Sequence, residues 1–185
     1  GWADSVYSYE PTPEVGGDWM NYLLVLGPAT GDQWGSIVSL GDLTQNEINQ
    51  GMPAGRITVT FGNPAEANDP FHIRDGAGYD FVVFENGFAS GTTDPTKGFV
   101  AGQIFADLGY VEVSSDGINF ARFPSVSLTN GQVGGYGTVD MTNVYNIAGK
   151  HPNGYGICTG TPFDLNELRD EPIVQSGLVD LNDVA

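Results

Sequence analysis

The residues best suited to chemistry flank one short apolar run, Gly78-Tyr-Asp-Phe-Val-Val-Phe-Glu-Asn-Gly-Phe88. Asp80, Glu85 and Asn86 offer carboxylate and amide oxygens, the donors that a hard cation such as calcium prefers, and Asp116 in a later Ser-Asp-Gly turn could add another. A calcium shell takes about six to eight oxygens, so backbone carbonyls of adjoining loops would have to complete it. No contiguous EF-hand pattern is present. The same residues also read as turn chemistry: Asn86-Gly87 and Asp116-Gly117 are turn dipeptides, and Asp80 can cap nearby backbone. Strand parity adds a constraint. It places Asp80, Val82 and Phe84 on one face and Phe81, Val83 and Glu85 on the other, so only a turn or bulge could bring Asp80 and Glu85 to one ion.

Rings supply a second kind of candidate. Trp19 and Trp34 near the start, and Tyr136 and Tyr155 in a glycine-rich stretch, could stack on a glycan or another flat ligand, although core packing or a contact with another chain would use them equally. Catalytic groups are harder to find. His151 and Cys158 could form a nucleophile and base pair, and Glu85 with Glu112 could serve glycoside hydrolysis at the right separation. However, no Gly-x-Ser-x-Gly elbow occurs, and Gly131-Gln-Val-Gly-Gly135 lacks the setting of a phosphate loop. No catalytic residue is assigned.

The elements that must hold these groups read mostly as short strands separated by turns. Ser5 to Tyr9, Ser36 to Leu40, Arg56 to Phe61, Tyr79 to Glu85, and a hairpin from Tyr110 to Phe123 about Asp116-Gly117 all carry strand patterns. Tyr79 to Glu85 is apolar enough to lie centrally in a sheet, while Met20 to Leu26 suits helix or strand. Asp164 followed by Glu167 marks a short helix start. A length of 185 residues suits one domain, and 27 glycines suit many tight turns.

A net charge of −17 argues against nucleic acid and anionic membrane partners. It also favours bound cations as a means of relieving self-repulsion. The single Cys158 excludes an internal disulfide and any cysteine-based metal cluster. No apolar run could span a bilayer, and residues 1–20 have neither a basic start nor an apolar signal core.

Five blocks, Asp80-Phe-Val-Val-Phe-Glu-Asn-Gly-Phe88, Val111-Glu-Val-Ser-Ser-Asp-Gly117, Phe120-Ala-Arg-Phe-Pro-Ser125, Ala148-Gly-Lys-His151 and Gly160-Thr-Pro-Phe-Asp-Leu165, resemble a group of bacterial and archaeal cell-surface proteins. Some members of that group carry C-terminal surface-sorting segments. The resemblance implies an extracellular or cell-surface location and a sandwich-like domain. It also points to uptake of a large cofactor such as cobalamin, with no residue here to carry that role. Members continue with further strands beyond the position of Leu178 to Asn182, which implies either a shortened variant with an exposed sheet edge or association with a cleaved C-terminal segment.

Together these readings predict one mainly β domain over residues 1–185, an antiparallel β-sandwich or jelly roll with one or two short helices. They further predict a secreted, calcium-supported structural or adhesion module of the cell surface. Binding of a glycan, a small cofactor or another surface protein is the alternative.

Overall fold

The computed structural model describes residues 1–32, 35–131 and 133–185. Its strands, in chain order, are β1 (Ser5–Glu10), β2 (Arg56–Thr60), β3 (Phe81–Val83), β4 (Phe88–Ala89), β5 (Ile104–Phe105), β6 (Glu112–Val113), β7 (Ala121–Arg122), β8 (Val126–Ser127), β9 (Val144–Tyr145) and β10 (Thr161–Phe163). Two short α-helices accompany them, α1 (Gln45–Asn49) and α2 (Pro172–Gln175). Thr44 and Glu47 form a reciprocal capping box that starts α1, and a proline in the first turn starts α2.

The β-sandwich or jelly roll expected from the sequence is not what this chain builds. Among the described residues there are five separate two-stranded antiparallel sheets, pairing β1 with β2, β3 with β10, β4 with β5, β6 with β7, and β8 with β9. The result is a small mixed α/β domain in which no sheet closes into a barrel or stacks into a sandwich. The physical reason is strand length. Several strands last only two residues before the next turn, too short to recruit a second strand; Ile104 of β5 adds only an isolated bridge to Val139. β3 is therefore not central: it pairs with β10 alone, and Val82 is exposed on its outer face. Met20 to Leu26 resolves into short 3-10 turns at Gly17–Met20 and Tyr22–Val25, and Ser36 to Leu40 lies outside any strand.

The longest ladder joins β1 to β2, with the Arg56–Glu10 ion pair at one end, 2.9 Å, and the Ser5 and Thr60 hydroxyls 2.6 Å apart at the other. The hairpin about Asp116-Gly117 forms as its turn residues require, with Gly117 at φ +71° and Val113 opposite Ala121.

The core lies in the second half of the chain. Phe123, Phe163, Leu165, Leu168 and Val179 are almost wholly buried, and Phe81 and Val83 pack against them. Phe163 stacks on Phe81 at 5.5 Å between centroids and meets Phe123 at 4.9 Å. Each such burial contributes on the order of 2–3 kcal/mol. His72 fastens the loop before β3 to the last turn: Nδ1 lies 2.7 Å from Asp183 Oδ1 and Nε2 lies 3.1 Å from the Asn63 carbonyl. Among the described residues no helix is long and apolar enough to cross a membrane.

Candidate functional site

The β3–β10 ladder builds the strongest site. Its register ends at the Phe81–Phe163 pair, and the next residues outward are Asp80 and Asp164, whose carboxylate oxygens lie within 4.8 Å of each other. The Asp80 N–H donates to the Phe163 carbonyl at 2.9 Å, which holds that end closed. Like charges placed opposite one another in an antiparallel pair repel, so this placement calls for a counter-ion.

A third carboxylate arrives by a tight turn. Gly76 N–H donates to Asp80 Oδ1 at 2.8 Å, folding the chain back so that Asp75 joins the pair. Asp75 is anchored from its own backbone, its N–H donating to the Leu181 carbonyl at 2.9 Å. Carboxylate oxygens of Asp75, Asp80 and Asp164 all lie within 4.8 Å of one another, and each residue is half-buried.

The three acids are not equally engaged. Asp80 Oδ2 accepts from Leu165 N–H at 2.8 Å, and Asp164 Oδ1 accepts from Asn166 N–H at 3.0 Å as the cap of a 3-10 turn at Leu165–Leu168. Asp75 Oδ1 is buried with no hydrogen-bond partner among the described residues. A buried acceptor left without a donor costs about 1–3 kcal/mol, more if it is charged, so a ligand there has something to repair. Glu167 does not close a capping box with Asp164; its carboxylate takes the Tyr145 hydroxyl and the Asn146 amide instead. Three carboxylates can coordinate a metal ion; by itself that donor set favours hard cations without naming one.

The other sequence candidates fall elsewhere. Glu85 lies beyond the opposite end of β3 from Asp80. Its Oε2 accepts from Gly87 N–H at 2.9 Å, and its Oε1 is buried without a partner. Burial pushes the Glu85 carboxyl up to about 7; the Gly87 N–H opposes the shift and the Asp107 charge adds to it. Asp107 is itself raised by burial, with Asp42 adding to the effect. Asn86 is half-buried in the same loop.

Asp116 is engaged by its own hairpin turn. Oδ1 accepts from Ile118 and Asn119 N–H, both at 2.8 Å, and Oδ2 from the Asn119 amide at 2.7 Å, which holds the carboxyl down at about 2. Trp19 lies in a 3-10 turn whose carbonyl accepts from Ser39 N–H. Tyr136 is 74% exposed, and Tyr155 meets Phe88 edge-on at 5.1 Å. Trp34 lies outside the described residues. His151 Nδ1 faces the Gly160 carbonyl, Cys158 Sγ the Ala29 carbonyl, and Glu112 pairs with Arg122 at 2.7 Å.

The calcium-supported β-sandwich adhesion module expected from the sequence falls with its fold. It required stacked sheets with oxygen-rich rims, and the carboxylates that converge do so at the end of a two-stranded ladder. Asp75 is absent from the sequence candidates, and Asp164 enters there only as a helix start. The available signal was a mirrored dipeptide: Asp80-Phe81 and Phe163-Asp164 read as one another in reverse, which is what an antiparallel register superimposes. A scan against protein-family models, a search of curated proteins and a search of solved structures return no match to this chain.

Proposed function

We propose that Asp75, Asp80 and Asp164 bind a hard divalent cation, calcium, and that the ion fastens the β3–β10 end to the C-terminal stretch. The observation that carries this reading is the convergence of three carboxylates, one of which, Asp75, has a buried Oδ1 that no group among the described residues satisfies. An all-oxygen set of three acids with backbone carbonyls nearby suits calcium, which tolerates irregular shells, better than magnesium, which demands near-ideal octahedral geometry. The mechanism is one of linkage. An ion held only by the folded chain adds stability in proportion to its occupancy, about 2.7 kcal/mol at one hundred times its dissociation constant.

Calcium titrated into chelator-stripped protein is expected to bind with a dissociation constant of about 1 mM or tighter and to raise the melting temperature. Asp75→Asn, which keeps the side-chain shape and removes one charge, is expected to weaken this site about tenfold. Asp75 is the informative position because Asp80 also bonds two backbone N–H groups, and its loss would disturb the turn itself. Absence of both binding heat and a melting shift at about 10 mM calcium, above the weakest range of calcium modules, overturns the reading.

A further inference from the structure

We infer that the chain holds a second hard-cation site, at the other end of β3, formed by Glu85, Asp107 and Asn153. Gly87 organises it. Its N–H donates to Glu85 Oε2 at 2.9 Å, while its carbonyl accepts from the Asn153 and Gly154 N–H groups at 2.9 and 2.8 Å, so two loops are clamped back to back on one residue. Gly149 brings in the third segment: a Cβ at that position would lie 3.0 Å from Glu85 Oε2 and 3.3 Å from the Asp107 carbonyl oxygen. A Cβ on Gly87 would lie 2.7 Å from the same Glu85 oxygen. Both glycines thus leave room for the carboxylate where any other residue would crowd it.

Two acceptors in this assembly have no donor. Asn153 is only 6% exposed and its Oδ1 is buried without a partner, and Glu85 Oε1 is in the same condition. Nature's usual remedy would be a lysine or arginine, and the chain has six. Each is placed elsewhere: Arg56 on Glu10, Lys97 on Asp94, Arg122 on Glu112 and Arg169 on Asp170. Arg74 donates to the Asn68 and Asp69 carbonyls, and Lys150 sits over the Tyr145 ring. A cation from solution would satisfy both acceptors. Carboxylate and amide oxygens without sulfur or imidazole select calcium or magnesium over zinc or copper.

The test is ion stoichiometry on the full chain, by calorimetry and by equilibrium dialysis at about 10 mM calcium or below. Wild-type protein is expected to bind two calcium ions, with Glu85→Gln and Asp75→Asn each weakening a different one of them about tenfold. In the Asp75→Asn background, Asp107→Asn is expected to weaken what remains about tenfold. Circular dichroism confirms that each variant is folded. A single ion that Asp75→Asn weakens and that neither Glu85→Gln nor Asp107→Asn affects overturns the second site and leaves the Asp75 reading intact. A single ion that persists in Asp75→Asn and disappears in Glu85→Gln does the reverse. No bound ion in the wild-type protein overturns both.

Discussion

Phe163→Ala is expected to remove about 3–5 kcal/mol of folding stability, the range for deleting a fully buried aromatic ring. Phe163 is 0% exposed and joins Phe81 and Phe123 in a three-ring cluster, so its removal leaves a cavity bounded by rigid neighbours that cannot collapse far. It also sits opposite Phe81 in the ladder whose next pair is Asp80 and Asp164. The same substitution should therefore weaken calcium binding without touching a ligand, because the end of the ladder is no longer fixed. Urea unfolding with and without calcium separates the two effects. A loss below about 1 kcal/mol would show that the core is centred elsewhere.

Glu85→Gln is expected to produce a pH-dependent gain of roughly 3 kcal/mol in chelator-treated protein. The sign follows from the direction of the shift. The folded chain holds the Glu85 carboxyl at about 7 against an ordinary value of 4.5, so folding favours the protonated form. Its contribution is fully present below about 4.5 and is lost as pH rises through about 7. Glutamine carries no such titration. The variant should match the wild type near pH 4 and exceed it by roughly the full amount near pH 8. Asp116, held at about 2, acts at the other extreme: its stabilisation is lost only as pH falls through that value, so the two windows do not overlap. Chemical denaturation from pH 4 to 8 reads the difference, and a gap between variant and wild type that stays constant across that range would refute the assignment.

How far the sequence alone could be read depended on distance along the chain. The Asp116-Gly117 hairpin and the helical start at Asp164 are local events, set by residues within a few positions, and both are present. Asp80 and Glu85 both fall outside the three-residue strand β3, so their separation is set by the length of the run between them. What composition and alternation could not show was how few partners each strand would find, because short strands between glycine turns are compatible both with a stacked sandwich and with isolated pairs. The true partner of β3 is β10, some eighty residues later, and that pairing alone brings Asp164 to Asp80. Grouping acids by nearness on one strand put Glu85 and Asp80 together and left Asp75 unnoticed, though a turn of four residues places it beside Asp80.

The core's position along the chain has a further consequence. Among the described residues, no buried apolar side chain precedes Ile104, and the partly buried ones packed on the main core begin at Ile73. The β1–β2 ladder is held by its own pairing, by the Tyr9–Tyr22 ring contact and by polar clasps such as Tyr9 to the Ser39 carbonyl. Amide protons of that ladder can exchange with solvent through openings that leave the aromatic centre intact, so the chain melts from its first third inward.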